Sequence, residues 1–221
     1  MDTDRHSRSL RRAGSMLIAS VVVVIIANIN PIVAVYAAPD LLTGIAMIAH
    51  DWSSWVLQQS VFLAGLLLTT SGLIVLSSSL RTTPSYRLAQ VALVGIIVAT
   101  SIWVVISALR LAVPAADIRQ TADIPPLFGA AMNGWLFQIF NLLMLGALVI
   151  YGGALLQSGW PRWLGLTTII LSSLMLGAFS FFGDGPPEML FVVTLIVGIA
   201  ALRRGLRRES HRQPASIIED R

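Results

Sequence analysis

Three groups of side chains in this chain have the chemistry to bind something. The first is amides set in apolar sequence. Asn28 and Asn30, followed by Pro31, interrupt the run from Ser15 to Ala38, and Gln138 and Asn141 lie three apart on the helix face that includes Gly134. Proline lacks an amide donor and frees a carbonyl one turn earlier, so polar backbone joins the first pair. With a helix starting near Ser15 and rising about 1.5 Å per residue, Asn28 and Asn30 are expected near mid-depth, where Gln138 and Asn141 would meet them. Four amides there would hold a small solute or a lipid headgroup, or join helices at about 0.6 kcal/mol per bond.

The second group is one residue. Arg110 follows Trp103 and Ser107 on a single face at the end of an apolar stretch. Its guanidinium is expected to snorkel to the outer interface or to pair with Asp117, Asp123 or Asp184, the functional alternative being an anionic ligand. The third group is His50, Asp51 and Asp184, with Asp40, the only acid, base or metal-ligating set on the same side. Adjacent helical residues point about 100° apart, and no HExxH-like spacing is present, so one ion would not readily use both His50 and Asp51. No catalytic residue, metal site or cofactor is assigned.

The elements that must position these residues are membrane spans. Of the 221 residues 56% are hydrophobic and 12% charged, with mean hydropathy +0.79, values of an integral membrane protein. Six apolar stretches, at about 15–38, 55–79, 88–113, 133–156, 162–182 and 187–203, approach the ~20 residues a helix needs to cross the bilayer. The first is too long for a cleaved signal's apolar core and is expected to remain as a span. The expected fold is all-α, six transmembrane helices. Gly183 to Pro187 turns the last two into a hairpin.

Arginine placement sets the orientation. With six spans, thirteen of the fifteen arginines fall on one side and only Arg110 and Arg119 on the other, so both termini are expected in the cytoplasm of a cell-membrane protein. Residues 1–14 form a basic cytoplasmic amino terminus, 15–208 the transmembrane domain and 209–221 a disordered cytoplasmic tail. The sequence pI of 10.6 resembles that of a nucleic-acid binder, but the charge is confined to ends and short loops, which argues against one. Arg203, Arg204, Arg207 and Arg208 would instead favour anionic lipids at the cytoplasmic face. There is no cysteine, which excludes disulfides, thiol nucleophiles and iron–sulfur clusters.

Finer features follow from local pattern. Asp40 is placed to cap a short interfacial helix in the first outer loop, with Leu41, Ile45, Ile48, Trp52 and Trp55 on one stripe and the two tryptophans in the aromatic belt. Trp160 and Trp163 look like the matching inner anchors. The loop from Pro114 to Met132 is expected to be irregular and to fold over the outer mouth. Gly65 and Gly72 in the second span, and Gly146, Gly152 and Gly153 in the fourth, mark close helix approaches.

The junction GWPRWLGL (Gly159 to Leu166), the turn GDGPPE and the exit GIAALRRGLRR resemble a broad group of bacterial six- or seven-span membrane proteins classed as a domain of unknown function. The resemblance covers about half the chain, supports the helical membrane fold and implies no activity. On short loops and uncharged spans, the leading expectation is a non-enzymatic accessory or assembly subunit that packs on another membrane protein or on its own copies. A carrier or binder using the amide spot with Arg110 is the alternative, and an outer-face enzyme using His50, Asp51 and Asp184 the third.

Overall fold

The computed structural model describes residues 2–112, 126–132, 134–182 and 189–210. It is all-helical there: α1 (Asp2–Ile29), a 3-10 helix (Pro31–Ala37), α2 (Leu41–His50), α3 (Trp52–Ser78), α4 (Tyr86–Ala112), α5 (Pro126–Met132), α6 (Trp135–Gln157), α7 (Arg162–Phe182) and α8 (Met189–Ser210). Among the described residues five helices, α1, α3, α4, α6 and α7, are long and apolar enough to cross a membrane. The sixth expected stretch does form a helix, α8, but its uncharged part runs only from Met189 to Leu202. That is about 21 Å at 1.5 Å per residue, short of a ~30 Å hydrocarbon core.

The six long helices form a ring in which sequence neighbours pack together, α1 on α3, α3 on α4, α4 on α6 and α6 on α7, with α8 closing it mainly against α1. Glycines set the tight crossings. A Cβ at Gly72 would meet the Ala13 carbonyl at 3.3 Å, and one at Gly65 the Ser20 carbonyl at 3.2 Å, so α1 and α3 run antiparallel. Gly152 and Gly165 face each other's backbone across α6 and α7. Gly146, by contrast, faces open space.

On α8, Gly198 lies against Gly14 and Leu17, and Gly205 against Ser7 and Arg11. The start of α1 and the end of α8 therefore share one end of the ring. The α3–α4 turn with Arg81 and Arg87, and Arg162 at the start of α7, fall at that same basal end, which gathers every described arginine side chain except Arg110. The 3-10 helix, α2 and α5 cover the opposite, cap end.

An aromatic core fills the ring towards the cap. Trp103 of α4 lies 4.6 Å from Phe140 and 4.8 Å from Phe62, Phe62 meets Phe191 of α8 edge-on at 5.7 Å, and Phe137 reaches Phe179 of α7 at 6.1 Å. Each such pair contributes about 0.5–1.5 kcal/mol beyond its area. Hydroxyls stitch the basal half: Thr70 and Thr100 share a 2.7 Å bond between α3 and α4, and Ser77 donates to the Tyr151 hydroxyl at 3.1 Å between α3 and α6.

The first helix differs from its expected bounds. It begins at Asp2, not near Ser15, and stops at Ile29. Pro31 disfavours helical backbone at the residue before it, and Asn30 is extended, φ −66° and ψ 127°. The helix from there to Ala37 is a separate 3-10 piece that turns over the cap. Asn28 and Asn30 consequently sit at the end of α1, not half-way along a span.

The loop expected to be irregular contains α5. Its opening residue, Pro126, occupies a position where the missing N–H would be unpaired in any helix. Residues 113–125 and 183–188, and the tail from 211, lie outside the described residues, and with them the expected loop course, the hairpin turn and the disordered tail.

Candidate functional site

The cap end is held by a buried polar cluster centred on Arg110, in the last turn of α4 and 1% exposed. Its guanidinium does not snorkel outward. Nε donates to the Ala131 carbonyl at 2.9 Å and Nη2 to the Met132 carbonyl at 2.6 Å. These are the last two residues of α5, whose terminal carbonyls have no partner inside so short a helix and carry its negative dipole end. Nη1 donates to the Tyr36 hydroxyl at 3.1 Å and to Gln59 Oε1 at 3.4 Å. One side chain thus joins α4, α5, α3 and the 3-10 helix.

Around it the polar groups bond to one another. Gln59 Nε2 donates to the Tyr36 hydroxyl at 2.8 Å and to Gln58 Oε1 at 2.6 Å, both glutamines being essentially inaccessible. Trp55 Nε1 donates to the Arg110 carbonyl at 3.2 Å. The guanidinium carbon lies 5.2 Å from the Trp103 ring centre, 5.4 Å from that of Tyr36 and 6.0 Å from that of Phe137, so π faces share its charge. Ile32, Val35, Ile45, Ile48, Trp55, Phe128 and Met132 form an apolar layer beside this cluster. The Trp103 indole N–H and the Ser107 hydroxyl, both on the Arg110 face of α4, are buried without a hydrogen-bond partner among the described residues.

The expected anchors divide accordingly. Trp55 is wholly inside this cluster, not in a lipid belt. Trp160 is also buried, under the Arg204 guanidinium at 4.6 Å, whereas Trp163 is 55% exposed. Asp117, Asp123 and Asp184, the carboxylates considered for Arg110, lie outside the described residues.

The four amides have separate surroundings. Asn28 Nδ2 donates to the Val24 carbonyl and Asn141 Nδ2 to the Phe137 carbonyl, each one turn back on its own helix, at 3.0 Å. Asn30 works as a connector: its Oδ1 caps the 3-10 helix through the Ile32 amide at 3.1 Å, and its Nδ2 reaches the Ser54 carbonyl of α3 at 3.3 Å. Gln138 is exposed. Helices α1 and α6 are not neighbours in the ring, so the structure does not bring these amides into one spot.

On the outer set, Asp40 caps α2 as expected, accepting from the Thr43 amide and hydroxyl at 2.8 Å each. Asp51 ends α2 and caps α3, accepting from the Ser54 amide and the Ser53 hydroxyl at 3.2 Å each. Bonds from Thr43 hold the Asp40 carboxyl below its ordinary value of 3.8, and bonds from Ser54 do the same for Asp51, with a smaller effect from the His50 charge. His50 is exposed in the last turn of α2. Among the described residues no three His, Cys, Asp or Glu side chains gather as a metal site.

A carboxyl whose value is depressed by folding stabilises the fold above its unfolded value, and that stability is lost as pH falls through the folded one. Asp51→Asn keeps a capping oxygen but cannot ionise. The protein is therefore expected to melt above this variant at neutral pH, and the gap to narrow as pH falls through 3.8 and on through the lower folded value. A gap in melting temperature independent of pH would show that the charge does not strengthen the cap.

Sequence reasoning missed Tyr36, Gln58, Gln59 and the α5 carbonyls. The available signal was two adjacent glutamines inside an otherwise apolar stretch, a pattern hydrocarbon does not tolerate without partners. No family model, curated protein or solved structure matches the chain.

Proposed function

We propose that this protein is a non-enzymatic membrane subunit that packs on another membrane protein through α7. The observation that carries this is the poor burial of that helix: 28% of its span is covered by the rest of the chain, against 39% to 56% for the other four candidate spans. Its uncovered side includes small residues, Ser173 and Ser180 exposed and Gly177 half-buried, and a Cβ at Gly177 would meet nothing within 4 Å. Small residues permit close approach of a second helix, the main source of helix association in lipid. Phe181 beside them is 90% exposed. The strongest polar groups, Arg110, Gln58 and Gln59, bond within the chain, which favours a scaffold over a carrier.

In this reading α8 is the sixth crossing. Support comes from its antiparallel course along α1, which returns the chain to the end where it started, as an even number of crossings requires. Arg8, Arg11, Arg12, Arg81, Arg87, Arg162, Arg203, Arg204 and Arg207 at that end support reading it as the cytoplasmic side of a cell-membrane protein.

A photo-crosslinking residue at Gly177 in intact membranes is expected to give one discrete protein adduct, and the same residue at Val94, on the exposed side of α4, none. Lipid adducts alone at both positions would overturn the proposal. An adduct of twice the chain mass would replace the foreign partner with a second copy.

A further inference from the structure

At the basal end, the turn between α6 and α7 and the last turns of α8 enclose a cleft of about 640 Å³. Its lining combines Trp160, Pro161 and Trp163 on one wall with Arg203, Arg204 and Arg207 on the other. Arg203 and Arg207 are one helical turn apart and exposed. The Arg204 guanidinium is stacked on the buried Trp160 ring, so that wall is fixed in place. From this arrangement we infer a binding site for the phosphodiester headgroup of an anionic phospholipid.

The chemistry is that of phosphate recognition, with planar guanidinium forks meeting phosphate oxygens. A lipid rather than a free phosphate is indicated by depth. The uncharged part of α8 ends at Leu202, and on the reading above, in which α8 is the sixth crossing, Arg203 and Arg204 follow directly where the apolar stretch gives way to the inner headgroup layer. Exposed Trp163 beside them is a residue type that settles at headgroup level. Anionic lipid phosphates are abundant at that level and attract arginines placed there. Acyl chains would descend past Ala200 along α8.

The site lies at the basal start of α7, whereas the partner surface proposed above centres on Gly177 and Phe181 near the other end of that helix. Its test is native mass spectrometry of the full chain in detergent, titrated with phosphatidylglycerol or with phosphatidylcholine of the same acyl chains. Phosphatidylglycerol is expected to bind with a defined stoichiometry and roughly tenfold or more tightly than phosphatidylcholine. Arg203→Gln with Arg207→Gln should remove that preference. Arg81→Gln with Arg87→Gln, which deletes the same charge from exposed positions at the same end, should retain it.

Equal losses in the two double variants, or equal binding of both lipids, would overturn the site. Displacement of phosphatidylglycerol by millimolar inorganic phosphate would overturn the lipid assignment. If the cleft double variant does not fold, Arg203→Gln alone is expected to weaken binding by a factor of about three, and no change would count against the site.

Discussion

Replacing Arg110 by methionine is expected to lower the free energy of unfolding by about 3–5 kcal/mol. Methionine nearly fills the volume but supplies no donor. The carbonyls of Ala131 and Met132 would be left without the bonds that Arg110 gives them, and Gln59 and Tyr36 would each lose one. A buried group stripped of its partner costs about 1–3 kcal/mol, and bonds to a charged donor are at the upper end of the ordinary range. Part of this is recovered if neighbouring groups rearrange, which is why the sum stays below four full penalties.

Arg110→Lys discriminates between charge and shape. Lysine keeps the cation but presents it as a point, whereas two adjacent carbonyls and a hydroxyl diverge around the arginine fork. It is expected to fall between the protein and the methionine variant. Equilibrium unfolding in mixed detergent micelles, followed by fluorescence of Trp55 and Trp103 in the same cluster, reads both. A methionine variant within about 1 kcal/mol of the protein would mean that the cap is held by its apolar layer alone.

Gly14→Ala is expected to cost about 1–3 kcal/mol, with the larger Gly14→Val costing more. The added carbon would lie 2.6 Å from the Leu202 amide nitrogen and 2.7 Å from the Gly198 carbonyl oxygen, both backbone atoms. A side chain can rotate away from such a clash, but a helix backbone cannot. Relief requires α8 to move off α1, its main neighbour, which would also strain the smaller contacts of α8 with α7, of Phe191 with Phe62 and of Arg204 with Trp160.

The matched control is Gly146→Ala, where the new methyl meets nothing within 4 Å. There the usual preference of a helix for alanine applies, and stability should rise by about 0.5–1 kcal/mol. Thermal unfolding of the two variants side by side checks the prediction. A Gly14 variant as stable as the protein would count against the close α1–α8 crossing, and with it against the end shared by the start of α1 and the last turns of α8.

The glycine comparison also shows how far local pattern reaches. Gly65, Gly72, Gly146 and Gly152 have equal claims in the sequence to be close-approach positions. Three of them face another backbone or a packed side chain, and Gly146 faces open space, because which side of a helix meets a neighbour depends on the ring. The amides make the same point. A helix running through Asn30 would set them at a common depth, but Pro31 ends α1 beforehand and the chain turns over the cap.

What the residues determine locally, they determine well. Long uncharged apolar runs specify helices able to cross a membrane, Asp40 specifies the start of α2, and arginine segregation anticipates the basal end. These properties depend on neighbours within a few residues. The environment of Arg110 depends on Tyr36, 74 positions away, Gln59, 51 away, and the α5 carbonyls, 21 and 22 away. A buried cation takes whichever acceptors the packed helices bring within reach, so only the tertiary structure decided that it binds inward and becomes the clamp of the cap.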